Sequence, residues 1–94
     1  MRVPTQLREL VGGAAMVTVD VLARADGTAT VGEVLDALGT RHPALERRVR
    51  DERGRGRTHV NLFVGADNVR DRDGARTPIA AGEELTIIPA VSGG

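Results

Sequence analysis

The side chains able to do covalent chemistry are few in this sequence and nowhere paired. Cysteine is absent, which removes the thiolate nucleophile, the thiolate metal site and the disulfide framework together. Lysine is absent too, all 13 basic residues being arginine, so no side-chain amine is offered as an isopeptide acceptor. His42 and His59 stand far apart with no His-x-x-x-His spacing, and a metal site is not expected. Asp26-Gly27 and Asp73-Gly74 are turn chemistry, not a pair of catalytic acids. With no nucleophile–base pair and no phosphate loop, the chain does not read as an enzyme. What is left is the end of the chain, Ser92-Gly93-Gly94. Glycine there opens backbone angles closed to other residues. Taken alone a terminal Gly-Gly is weak evidence, because chain ends are commonly disordered.

The 94 residues allow one domain with no linker. The apolar share is 40%, almost all Val, Leu, Ile and Ala, with Phe63 as the single aromatic residue. That suffices for a modest aliphatic core, not a large cavity. The 13 basic and 13 acidic residues cancel, so no strong overall field draws the chain to nucleic acid or an anionic membrane. No leader pattern and no span-length apolar run occurs, and a soluble cytoplasmic protein is expected.

Residues 16–23 read MVTVDVLA, and Val17, Val19, Val21 and Ala23 alternate with Met16, Thr18, Asp20 and Leu22. This period of two predicts a strand with its odd positions toward the core, bounded by Gly12-Gly13 and Asp26-Gly27. The period then changes. Val31, Val34, Leu35 and Leu38 line one helical face, and Thr30 with Glu33 has capping-box spacing, so a helix should start at Val31. Pro43 ends it near His42, and Leu45 with Val49 adds one further apolar turn. Residues 47–59, rich in Arg and Gly, read as an exposed turn and loop. Strands follow at Val60–Val64 and Leu85–Pro89, with a short piece at 68–70 between turns. Strand, strand, helix, strand, short strand, strand implies an α+β layer arrangement, a mixed sheet of four to five strands on one main helix. Residues 1–89 are expected to form it, with 90–94 as a flexible tail carrying the carboxylate.

Three stretches together resemble the ThiS/MoaD family of β-grasp sulfur carriers: TQLRELVG at 5–12, VNLFV at 60–64, and AGEELTIIPAVSGG at 81–94. The last is the most specific, combining a turn, a strand, a proline and a free diglycine. The resemblance covers nearly the whole chain. PTQLR, the Arg-rich loop and IIPAVSGG look closest to actinobacterial carriers of the cysteine-biosynthesis type, while RELVG looks equally like molybdopterin-synthase small subunits. One departure is that only residues 1–4 precede the Thr5 motif, where family members have a longer first strand. A stub there would cost hydrogen bonds and burial.

The resemblance implies a ubiquitin-like β-grasp fold and a defined chemistry at Gly94. An E1-like partner adenylates the Gly94 carboxylate with ATP, and a sulfur source displaces AMP to leave a thiocarboxylate for a sulfur-accepting synthase. The chain itself holds no cofactor; ATP and sulfur belong to the partner. The destination could be cysteine, molybdopterin, thiamin or a sulfur-containing natural product. Two other readings remain: a protein modifier forming isopeptide bonds, and a non-catalytic binding domain with an idle tail.

The resemblance also places partner contacts at Val91, Ser92 and Gly93 and on the open face of the sheet. If Val60, Leu62 and Val64 point inward, Phe63 points outward, and Ile88 does so opposite Leu85, Ile87 and Pro89. Those two form an apolar patch unless the loop at 65–80 covers one of them. The arginines at 47, 48, 50, 53, 55 and 57 could dock an acidic partner or a phosphate. Glu46, Asp51 and Glu52 dilute them, so solvated surface is the reading adopted. No aromatic residue lies nearby to stack a base.

Overall fold

The computed structural model describes residues 1–89. After the first four residues, a 3-10 helix at Thr5–Val11 closes on Gly12, whose positive φ of 68° suits a residue without Cβ. Strand β1 (Thr28–Thr30) runs straight into helix α1 (Val31–Arg41), and α2 (Pro43–Val49) follows after His42. Strands β2 (Val60–Val64) and β3 (Asp67–Asn68), two 3-10 turns (Val69–Asp71 and Gly74–Arg76), β4 (Pro78–Ala80) and β5 (Leu85–Pro89) complete the order.

The start of α1 follows from its cap. Thr30 Oγ1 accepts from the Glu33 N–H at 3.2 Å, and the Thr30 N–H donates to Glu33 Oε1 at 2.8 Å. Both halves of the predicted capping box are therefore made, and two orphan donors are satisfied. Pro43 occupies the first turn of α2, where its missing N–H costs nothing. Val31, Leu35 and Leu38 of α1 and Leu45 and Val49 of α2 are buried as the spacing predicts. They pack on Val60, Leu62, Val64, Leu85 and Ile87, the inward side chains of β2 and β5.

All named pairs are antiparallel: β3-β2-β5 form one sheet and β1-β4 a second. The mixed character comes from Arg2, which bridges Thr86 in parallel and Met16 antiparallel. The stub expected at the start is thus threaded between β5 and the segment near Met16. The Arg2 N–H donates to the Leu85 carbonyl at 2.8 Å and the Val17 N–H to the Met1 carbonyl at 2.9 Å. Val3, at 0% exposure, is core. The Met1 ammonium donates to the Val17 carbonyl at 2.7 Å; partial burial lowers its pKa below the usual amine value, against the opposing pull of Glu84.

Three expectations need correction. Residues 16–23 form no ladder beyond Met16: residues 1–3 pair only as far as Val17, and the backbone of 18–23 finds no hydrogen-bond partner among the described residues. The facing still follows the alternation, with Val17 buried, Val19 and Val21 half-buried, and Thr18, Asp20 and Leu22 exposed; Ala23 departs from it and is exposed. Second, β1 and β4, three residues each, pair through Ala29 and Ile79, a contact across about half the chain that short segments do not announce. Third, the loop at 47–59 begins inside α2 and holds a structured arginine. Arg50 donates to Asp36 Oδ1 at 2.5 Å and to Glu46 Oε2 at 3.0 Å with its side chain only 14% exposed.

Candidate functional site

The register of β2 on β5 decides which side chains share the open face. Asn61 lies opposite Ile88, and Phe63 opposite Thr86. On the other edge of β2, Phe63 is paired with Asn68 of β3. Residues bridged across a sheet project to the same side, so Thr86 also brings Arg2 and Met16 onto this face. Phe63 is half-buried, Ile88 is 43% exposed and Met16 is 47% exposed. Phe63 and Ile88 stand on the diagonal of adjacent cross-strand pairs, a separation of about 7–8 Å that long side chains bridge. The loop at 65–80 therefore leaves both Phe63 and Ile88 accessible.

The patch has a polar border. Asn68 Nδ2 donates to Asn61 Oδ1 at 3.3 Å along one side. Along the other, Arg2 Nε donates to Glu84 Oε1 at 2.6 Å, and both side chains are substantially exposed. A central apolar area rimmed by satisfied polar groups is the surface chemistry of a docking site. Met16, Arg2 and Glu84 were not singled out in the sequence. The even positions of residues 16–23 did assign Met16 outward, but only the Arg2 bridges place it on the face that carries Phe63, on the far side of Arg2 and Thr86.

Pro89 is paired with Val60 at the end of the sheet from which residues 90–94 continue. The carboxylate-bearing Gly94, and Val91, Ser92 and Gly93, lie outside the described residues. Five residues span at most about 17 Å when fully extended. The fold thus presents Ile88 of the patch and the origin of the last five residues on one strand, β5, with Ile88 next to Pro89.

Among the described residues no three His, Asp or Glu side chains gather as a metal site requires. No described helix is long and apolar enough to cross a membrane. A shallow pocket of about 320 Å³ lies between residues 19–23, Val34 and the turn at 79–83. A smaller one, about 220 Å³, is enclosed by the loop at 54–56 and Arg50, whose guanidinium is already committed to two carboxylates.

The ThiS family model matches residues 1–94. Small archaeal modifier protein 1 of Haloferax volcanii is 43% identical over 84 residues, covering 89% of this chain and 87% of that protein. The sulfur carrier protein CysO of Mycobacterium tuberculosis is 36% identical over 94 residues, covering 98% and 94% of the two chains. Among solved structures, a chain of the Amycolatopsis orientalis BexX/CysO complex superposes with a TM-score of 0.82 at 32% identity, covering 99% of this chain and 96% of that one. Matched over its whole length and sharing its ubiquitin-like β-grasp fold with sulfur carriers and a modifier, the chain belongs to the ThiS family.

Proposed function

We propose that this protein is a sulfur carrier that works through the carboxylate of Gly94. An E1-like enzyme joins that carboxylate to the α-phosphate of ATP, releasing pyrophosphate and giving an acyl-adenylate. Sulfide then attacks the acyl carbon, AMP leaves, and the product is a thiocarboxylate, ionised at neutral pH and nucleophilic. A biosynthetic acceptor enzyme takes the sulfur on the way to cysteine, molybdopterin, thiamin or a sulfur-containing natural product. The chain contributes the carboxylate and the docking surface; activation belongs to the partner, so this protein is a cosubstrate and not a catalyst.

The observation that carries this reading is the family match over residues 1–94, ending in Gly93-Gly94. The apolar pair of Phe63 on β2 and Ile88 on β5 supports it, because a partner that binds there sits beside Pro89, from which residues 90–94 continue. One observation favours a second reading: the Haloferax volcanii relative is named a modifier. In that case a target lysine amine attacks the same adenylate and an isopeptide bond forms.

The test is incubation with a cognate E1-like enzyme, ATP and sulfide, followed by intact mass measurement and mapping of the C-terminal peptide. Replacement of one oxygen of Gly94 by sulfur is the expected result. An unchanged mass with active enzyme, or sulfur mapped to an internal residue, overturns the carrier reading. Stable conjugates to lysine in cell extracts, without a thiocarboxylate, support the modifier reading.

A further inference from the structure

The strand that leads into the tail ends at a corner built from arginine. Pro89 is paired with Val60, and Arg57 lies three residues before Val60 at the close of the Arg-rich loop. The Arg57 N–H donates to the Val49 carbonyl at 3.0 Å, and its Nε donates to the Arg47 carbonyl at 2.6 Å. Arg70 reaches over from the turn after β3, its Nη2 donating to the carbonyls of Arg57 at 2.7 Å and Val60 at 3.0 Å. Two guanidiniums are thereby oriented at the corner, and the exposed Arg47 and Arg48 occupy the last turn of α2 beside them.

A carbonyl oxygen orients a guanidinium without cancelling its charge. None of Arg47, Arg48, Arg57 and Arg70 forms an ion pair among the described residues, where the pairs involve Arg2, Arg24, Arg50 and Arg72. Of the acids that dilute the cluster, one is neutralised by an ion pair outside the corner. Glu46 is held by Arg50. Asp51 turns its carboxylate onto the N–H groups of Arg53 and Arg55 at 2.9 and 3.0 Å, which, with the nearby Arg55 and Arg57 charges, keep its pKa below the usual carboxylate range. Asp51, whose charge those N–H groups do not cancel, and the exposed Glu52 remain as two acids against the four arginines.

We propose that the corner formed by Arg47, Arg48, Arg57 and Arg70 docks on an acidic rim around the mouth of the activating enzyme's channel. This rests on the sulfur-carrier reading above. Reach decides between such a rim and the nucleotide phosphates. A tail threaded through a channel is extended, and five residues put the reacting carbon up to about 17 Å from Pro89. Charges that far apart in 0.15 M salt are separated by about two Debye lengths of roughly 8 Å, so the nucleotide is screened from the corner. The enzyme surface at the foot of the tail is not.

The test uses the full chain carrying Arg47→Glu with Arg48→Glu, because neither side chain makes a hydrogen bond among the described residues. Acyl-adenylate formation is measured against carrier concentration at low and high ionic strength. The expected result is a rise of about tenfold in KM at low salt with kcat unchanged. Wild-type KM should climb with salt while that of the variant stays nearly flat. Arg47→Lys with Arg48→Lys should restore most of the affinity. Arg47→Gln with Arg48→Gln, which removes charge without placing acids at a helix C-terminus, covers the case of a misfolded Glu variant. Equal KM and equal salt dependence in wild type and Gln variant overturn the proposal, as does a loss confined to kcat. If the wild type itself is never adenylated, the carrier reading fails instead.

Discussion

Ile87 and Ile88 are neighbours on β5 with opposite tasks, and truncating each in turn separates fold from docking. Ile87 is 2% exposed and packs in the core; Ile88 is 43% exposed on the open face. Removing a fully buried isoleucine to alanine costs about 2–5 kcal/mol, transfer and cavity terms together. In a domain of this size about 1 kcal/mol corresponds to roughly 4–8 °C of melting temperature, so Ile87→Ala should melt at least about 8 °C lower. Full burial of such a side chain is worth about 1.5–3 kcal/mol, and a side chain already nearly half exposed has realised about half of that. Ile88→Ala should accordingly cost about 1 kcal/mol, roughly half of about 1.5–3 kcal/mol. Ile88→Asp is the functional counterpart: its charge is solvated in the free protein and desolvated under a partner, at a cost of several kcal/mol in binding, roughly a hundredfold or more in affinity. Differential scanning calorimetry reads the first pair, and titration with the activating enzyme reads the second. Equal melting losses for Ile87→Ala and Ile88→Ala would refute the facing, and wild-type affinity in a folded Ile88→Asp protein would remove the sheet face from the interface.

Deleting Gly94, or adding one residue after it, should abolish acyl-adenylate formation while melting temperature stays unchanged, since a step of about 3.5 Å far exceeds the roughly 1 Å displacement that already costs about a hundredfold in rate. Normal loading of both variants would mean that the terminus is not the working group. Thr30→Ala should lower stability by about 1 kcal/mol through loss of the α1 cap, read as a fall of roughly 4–8 °C in melting temperature. Glu33 has its pKa held below the ordinary glutamate value, first by the hydrogen bond from Arg24 and then by the Thr30 N–H. Because its folded value is the lower one, its contribution is complete above the unfolded value of about 4.3 and disappears as pH falls through the folded value. Wild-type melting temperature should therefore drop more steeply than that of Glu33→Gln on acidification below about pH 5, and parallel curves would refute the linkage. In hydrogen exchange, amides of residues 18–23 should exchange far faster than those of the β2–β5 ladder, and equal protection would show that 18–23 has a partner.

The elements legible in the sequence are those whose cause is local. The 3.6-residue spacing of Val31, Val34, Leu35 and Leu38, the Thr30–Glu33 box and Pro43 define α1 and its end without any reference to the rest of the chain. The alternation in Val60–Val64 and Leu85–Pro89 predicts strands and places Phe63 and Ile88 outward, because side chains on a strand alternate whatever the partner. The terminal Gly93-Gly94 and its flanking motif carried the family resemblance.

Tertiary structure decided whatever depends on a partner distant in sequence. A strand needs a neighbour as well as a pattern, and residues 18–23 have the pattern without a neighbour among the described residues. Thr28–Thr30 and Pro78–Ala80 have almost no pattern and yet pair, because α1 and the Thr77 carbonyl, which accepts from the Val31 N–H at 2.9 Å, bring them together. The arginines at 47–57 look alike in the sequence. Folding sorts them, pairing Arg50 with Asp36 and Glu46 and fastening Arg57 by the Arg47 carbonyl oxygen, because charge neutralisation requires a carboxylate within reach in space and composition alone cannot specify which arginine receives one.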